Sequence, residues 1–110
     1  MKIPADAIIT PSKLTDYLLA ARPWDDKSKF LNQAGFHRNS PGLLEAAIRQ
    51  LAADTEAVDD GVNEYGTFWR ADGALLGPNG VTLDVTAIWL EWRTDGSFHF
   101  VTLKPRRNKP

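Results

Sequence analysis

Two short turn sequences in the second half of the chain restrict its fold more than any other feature. A GPNG turn at residues 77–80 and a DG turn at residues 95–96 separate segments rich in β-branched and aromatic residues, at 66–76, 81–93 and 97–103. Connections of two to four residues are too short for the crossover that parallel strands need. The segments are therefore predicted to form an antiparallel meander, with the two turns at opposite ends of the middle strand. A leading strand at 57–62 is a weaker prediction, which makes the sheet three- to four-stranded.

The first half of the chain has helical periodicity instead. Thr10-Pro11 and Ser40-Pro41 each combine a capping residue with a proline suited to the first helical position. Pro23 ends the first helical pattern, Asp25 or Asp26 can cap a second, and Gly35 is a plausible stop after Ala34. The prediction is an α+β fold in one domain, residues 1–110. Two to three N-terminal helices, within about 11–53, pack on one face of a three- to four-stranded antiparallel meander at about 57–104.

The middle strand becomes apolar on both faces at residues 87–90. A strand of this kind is usually central and covered on both sides, or it faces a partner. Trp89 lies in this stretch, so we expect it to be substantially buried or to lie in a protein interface. By strict alternation, His99 on the last strand points away from Phe98 and Phe100, either beside Val101 and Leu103 or toward solvent.

The residue inventory excludes several kinds of chemistry. The chain has no cysteine, which excludes a thiolate nucleophile and a cysteine-ligated zinc site. Its two histidines, His37 and His99, lack the spacing of metal ligands, so neither a metal nor a cofactor is predicted. There is no phosphate-binding loop, dinucleotide fingerprint or nucleophile elbow. No segment resembles a signal peptide or a membrane span, so the predicted location is the cytoplasm, without membrane contact; export by a route that needs no signal is left open.

Charge is distributed unevenly around a formal net charge of −1. Basic residues dominate the tail at 104–110, and acidic residues dominate 54–64. The tail residues Lys104, Arg106 and Arg107 are candidate nucleic-acid contacts, because clustered cations attract phosphates. The alternative is that the charged tail only keeps an edge strand soluble.

Several segments together resemble a small bacterial domain family of unknown function. They are KLTDYLL at 13–19, KSKFL at 27–31, GF at 35–36, EYG at 64–66, GPNG at 77–80, IW at 88–89 and VTLKP at 101–105. The resemblance covers roughly residues 13–105. It implies a domain that occurs alone or at the end of larger phage or toxin-like proteins.

The order of helices followed by a meander is also similar to the ribonuclease toxins of the barnase, colicin D and RelE type. In those proteins, bases on an early helix face a serine or threonine on a late strand. The resemblance implies that Lys27 and Lys29 face Thr102 and Lys104, near Arg93. Family members often carry a histidine in the loop before the second helix, where this chain has RPWDD at 22–26. His37 then takes that place, or the domain is inactive.

Two hypotheses follow. The first is a toxin-type domain that cleaves or binds RNA, with Lys27, Lys29, His37, Arg93 and Thr102 as candidate catalytic residues. The second is a non-catalytic protein-binding module, such as an immunity or antitoxin-like protein or a phage accessory protein. The acidic stretch and the tryptophans of the middle strand favour the second hypothesis. Whether the chain is an enzyme is left open, and so is a homodimer.

Overall fold

In the computed structural model, residues 1–19 and 27–106 are described, and statements about the structure concern those residues. The elements are a π-helix (Lys13–Leu18), α1 (Lys27–Asn32), α2 (Pro41–Asp54), β1 (Val58–Val62), β2 (Gly66–Leu76), β3 (Thr82–Trp92) and β4 (Phe98–Pro105). The strands form one antiparallel sheet in the order β1-β2-β3-β4. The predicted meander and α+β class are confirmed, and the weak leading strand is present as β1.

The first helix differs from the regular α-helix that its spacing predicted. A helical turn starts at Pro11, and the N–H of Lys13 donates to the Thr10 carbonyl at 2.9 Å. The chain then widens into the π-helix, in which the Leu19 N–H donates to the Leu14 carbonyl, five residues back, at 2.9 Å. This wider turn places Leu14, Leu18 and Leu19 together in the core. The predicted end at Pro23 and the caps at Asp25 and Asp26 lie outside the described residues.

The core lies between the helices and one face of the sheet. On β3, Leu83, Val85, Ala87 and Trp89 alternate with more exposed residues and are buried. Trp89 is 1% exposed and meets Phe100 edge to face, with ring centroids 5.3 Å apart, so its predicted burial is confirmed.

A β-bulge in β4 breaks the alternation that the sequence suggested. Trp89 lies opposite Phe100 and Ile88 lies opposite Thr102, which leaves Val101 as an extra residue. Leu103 consequently joins Phe98 and Phe100 on the buried face. The prediction that Leu103 shares the side of His99 is therefore wrong, because one inserted residue inverts the orientation of the residues after it.

The GPNG turn packs against the end of α1. Gly35, at φ +93°, follows α1, and the Phe36 N–H donates to the Leu31 carbonyl at 3.2 Å. From the turn, Asn79 donates through its side chain to the Gln33 carbonyl at 3.0 Å and through its backbone to the Ala34 carbonyl at 3.3 Å. The β2–β3 hairpin therefore anchors the helix that carries Lys27.

No helix within residues 1–19 or 27–106 is long and apolar enough to cross a bilayer.

Candidate functional site

The first residue of α1 meets the end of the bulged strand. Lys27 Nζ donates a hydrogen bond to Thr102 Oγ1 at 3.1 Å, across 75 residues of sequence. Lys27 is only 9% exposed, and burying an ammonium group is costly unless hydrogen bonds compensate it. An ammonium group only donates, so Thr102 Oγ1 accepts this bond and its own proton is directed to a different acceptor.

The β-bulge and the π-helix together shape the surface beside Thr102. Under strict alternation Thr102 would share the buried face of Phe98 and Phe100, but the extra residue Val101 places it opposite Ile88. A cavity of about 490 Å³ then forms between β4 and the π-helix, lined by Ser12, Lys13, Asp16, Val101 and Thr102. A hydroxyl group, an ammonium group and a carboxylate therefore border one solvent-accessible space.

A second cation, in the loop after α1, pairs with the Asp16 carboxylate that lines this cavity. Arg38 NH2 lies 3.4 Å from Asp16 Oδ1, and both side chains are about two-thirds exposed. Sequence reasoning named neither Lys13 nor Asp16 as a site residue, and although it noted Arg38 beside His37 as a candidate phosphate contact, it did not pair Arg38 with Asp16. Lys13 and Asp16 are three residues apart in a helical segment, a spacing that puts side chains on one face and could have identified the pair. Arg38 is distant in sequence and gives no such signal.

The structure unites only some of the residues predicted from sequence. Lys29 is exposed on α1, two residues beyond Lys27, so the two side chains point to different sides of the helix. Lys104 is exposed and lies opposite Thr86, two residues beyond Thr102 on β4. His37 is exposed in the loop after α1. The structure brings Lys27 and Thr102 into contact, and the roles assigned to these residues stay predictions.

Arg93 does not join this cluster. It follows β3 at the end near the DG turn, where its backbone N–H donates to the Tyr65 carbonyl at 2.8 Å. Thr102 lies opposite Ile88, and Arg93 is five residues further along, or about 16 Å at the usual strand rise. A single phosphate could not contact Thr102 and the Arg93 backbone together.

The basic tail is partly paired with acid. The Arg106 N–H donates to the Asp84 carbonyl at 2.8 Å, and its guanidinium lies 3.9 Å from the Asp84 carboxylate. Arg107, which was also predicted to contact nucleic acid, lies outside the described residues. No group of three or more potential metal ligands occurs within residues 1–19 and 27–106.

Asp95 of the DG turn, Ser97 after it and His99 at the start of β4 lie together but do not form a nucleophilic triad. Ser97 Oγ donates to Asp95 Oδ1 at 2.6 Å and lies 2.8 Å from His99 Nε2. Hydrogen bonds from the Ser97 side chain and backbone hold the pKa of Asp95 below its usual value, so the carboxylate is charged and accepts. The single Ser97 proton is used there, so His99 Nε2 must donate. His99 cannot then remove the serine proton, as a triad requires.

An aromatic cavity lies at the same end of the sheet, lined by Tyr65, Leu90, Trp92 and Arg93 among others. Tyr65 is 66% exposed and Trp92 41% exposed. Trp92 stacks on His99, with ring centroids 3.8 Å apart and planes 12° apart. The neighbouring edge strand β1 is exposed along its whole length and carries Asp59 and Asp60. Large apolar side chains next to an acidic edge are typical of a protein-binding surface.

A family model described as a domain of unknown function, DUF6883, matches residues 4–107. The chain belongs to the DUF6883 family. The resemblance to a family of unknown function is thereby confirmed for nearly the whole chain. No curated protein matches this DUF6883 chain.

Among solved structures, the DUF6883 chain is similar to a chain of a contact-dependent growth inhibition toxin–immunity protein complex from Klebsiella pneumoniae 342. The TM-score is 0.69 at 21% identity, and the match covers 91% of this chain and 100% of that chain. At this identity the likeness shows a shared fold.

Proposed function

We propose that the chain is a toxin-type domain that binds and cleaves RNA at the contact between Lys27 and Thr102. The observation that carries the proposal is the hydrogen bond from the nearly buried Lys27 ammonium to Thr102 Oγ1. It joins an early helix to a late strand, as the resemblance to ribonuclease toxins implied. The solved chain with the same fold comes from a toxin–immunity protein complex, which supports a toxin or its partner as the class of protein.

The chemistry of RNA cleavage fits this part of the molecule. Attack of a 2′-hydroxyl on phosphorus builds negative charge on the phosphate oxygens, and fixed donors and cations stabilise that charge. Thr102 provides a hydroxyl at the cavity, and Lys27 supplies positive charge directly behind it. Lys13 borders the same cavity, and Arg38 lies next to it through Asp16. These cations support binding of a phosphate despite the overall charge of −1.

The test is RNA cleavage by purified variants, with unfractionated transfer and ribosomal RNA as the probes. Lys27→Met keeps the length of the side chain and removes its charge, and Thr102→Val keeps the shape and removes the hydroxyl. Each is expected to lower the cleavage rate by about 100-fold, the usual effect of losing one transition-state donor. Lys2→Met, at an exposed position near the N-terminus, is the matched control and is expected to cleave at the parent rate.

Lys29→Met decides between the two lysines that the sequence predicted. The contact with Thr102 favours Lys27, so Lys29→Met is expected to have the smaller effect. Circular dichroism and urea unfolding establish that each variant is folded. A parent protein that does not cleave these RNAs would contradict the proposal, as would folded Lys27→Met and Thr102→Val variants with full activity.

The second candidate function is binding of a cognate protein, and the aromatic cavity of Tyr65, Leu90, Trp92 and Arg93 favours it. Tyrosine, tryptophan and arginine dominate the binding energy of many interfaces. The exposed acid Asp59 suits a basic partner, whereas Asp60 already lies 3.4 Å from Arg70. Co-expression with the proteins encoded on either side of this chain tests the idea: Trp92→Ser should weaken a complex that Lys27→Met leaves intact.

We further propose that residues 1–110 form one domain that acts in the cytoplasm without a metal or cofactor. Residues from Ile3 to Leu103 contribute to one hydrophobic cluster, which supports a single domain. A homodimer stays a prediction, and light scattering of the purified protein would test it.

A further inference from the structure

We propose that Asp16 is the general base of the RNA-cleaving site, accepting the proton of the attacking 2′-hydroxyl. This inference rests on the proposed function and adds a residue that the resemblance to ribonuclease toxins did not indicate. Its basis is the cavity that Asp16 shares with Thr102, together with the unusual backbone that carries Asp16.

Asp16 is positioned for proton transfer. It faces the cavity from the π-helix while Thr102 faces it from β4, so a phosphate held by the Thr102 hydroxyl lies between the two elements. The Asp16 side chain is 66% exposed, which lets a substrate hydroxyl reach it. A general base must come within hydrogen-bond reach of the proton it removes. Because Asp16 and Thr102 line the same cavity, one nucleotide bound there can place its phosphate at Thr102 and its 2′-hydroxyl at Asp16.

The cations around Asp16 allow a carboxylate to work beside a phosphate. Arg38 lies 3.4 Å from Asp16 Oδ1, and Lys13 lines the same cavity. Without them, the carboxylate would repel the substrate. With them, positive charge offsets that of the carboxylate, and the same cations attract the phosphate.

The backbone at Asp16 is an independent observation. The segment Lys13–Leu18 is a π-helix, a form that is rare and occurs frequently at functional sites. The inner face of this helix packs into the core through Leu14, Leu18 and Leu19. The outer face carries Lys13 and Asp16, which the core does not require and which the cavity uses.

The proposed step balances as a transesterification. The 2′-oxygen forms a bond to phosphorus as its proton passes to the Asp16 carboxylate. The bond between phosphorus and the 5′-oxygen breaks, the electron pair stays on that oxygen, and the oxygen takes a proton from solvent water. Asp16 then releases its proton to solvent. The products are a 2′,3′-cyclic phosphate and a 5′-hydroxyl.

The experiment compares Asp16→Asn with Asp6→Asn, which makes the same change at an exposed turn residue. Asp16→Asn can still accept a hydrogen bond from Arg38 but cannot take a proton. It is expected to lower kcat by about 100-fold or more, the usual contribution of a general base, and to lose the acidic limb of the pH–rate profile. Binding of an uncleavable 2′-deoxy analogue of the same RNA should be unchanged. Asp16→Glu should restore part of the rate, and Asp6→Asn should resemble the parent.

The outcomes separate this inference from the proposed function. If the parent cleaves RNA through Lys27 and Asp16→Asn keeps both the parent rate and the acidic limb, the inference is wrong and the function stands. If Asp16→Asn loses analogue binding in proportion to its loss of rate, Asp16 only positions Arg38, and the inference is again wrong. A parent that does not cleave RNA overturns both. If Asp16→Asn does not fold, the pH profile of Asp16→Glu decides, because a base role predicts a shifted acidic limb.

Discussion

Under the proposed function, Asn79 is expected to affect RNA cleavage although it lies in the GPNG turn and not at the cavity. Its side chain donates to the Gln33 carbonyl at 3.0 Å and accepts from the Val81 N–H at 3.0 Å. Asn79→Ala removes both bonds, and each is worth about 0.5–1.5 kcal/mol, so the expected loss of unfolding free energy is about 1–3 kcal/mol. The first bond is also an anchor for the end of α1.

The functional effect follows from the shortness of α1. A helix of six residues does not form alone, so its position depends on tertiary anchors. Weakening the anchor at Gln33 should let α1 move and lengthen the contact between Lys27 and Thr102. We therefore expect Asn79→Ala to lower kcat/KM for RNA about 10-fold. That loss corresponds to about 1.4 kcal/mol, within the range that one anchoring hydrogen bond contributes.

Asn63→Ala is the matched control. Asn63 Oδ1 accepts from the backbone N–H groups of Tyr65 and Gly66 at 2.9 and 3.1 Å, in the turn between β1 and β2. Its loss should destabilise the protein by a similar amount, measured by urea unfolding, without changing cleavage by the folded protein. The reasoning is refuted if both variants lose the same activity at a temperature where both are folded, or if Asn79→Ala loses stability alone.

Two further predictions concern the core and the DG turn. Trp89→Ala should lower the unfolding free energy by about 3–5 kcal/mol. Trp89→Phe should cost far less, because Trp89 Nε1 has no acceptor in the described part of the chain. An orphaned buried donor is itself unfavourable by about 1–3 kcal/mol, and phenylalanine removes it. Equal losses of unfolding free energy for the two variants in urea would contradict this. Ser97→Ala should raise the pKa of Asp95 toward its usual value, because Ser97 donates to the charged carboxylate. The lowered pKa stabilises the fold above the unfolded-state pKa of Asp95, and this contribution disappears as the pH falls through the folded-state value. NMR titration of the Asp95 carboxyl carbon should show the upward shift in the variant, and an unchanged midpoint would refute it.

Local chemistry made the sheet predictable. The GPNG and DG turns defined the strands on both sides, and β2 begins and ends where the residue pattern placed it. The bulge at Val101 gave no comparable signal, because the residues around it fit a regular strand as well as a bulged one. The contact between Lys27 and Thr102 was predicted through the resemblance to toxins and not from spacing, since 75 residues separate the two. The pair of Asp16 and Arg38 depends on how the loop after α1 returns to the π-helix, which no local pattern encodes.

The two irregular segments of the fold meet at the same cavity, and this coincidence favours a functional origin. A π-helix gives up regular i to i+4 hydrogen bonds, and a β-bulge leaves one residue out of the ladder. Here the π-helix carries Asp16, and the β-bulge moves Thr102 away from the buried face. Both segments also contribute to the core, through Leu14, Leu18 and Leu19 of the first helix and Leu103 of β4. Because core packing alone gives no reason for both irregular segments to meet at one cavity, their pairing there supports the proposed role of the side chains that line it.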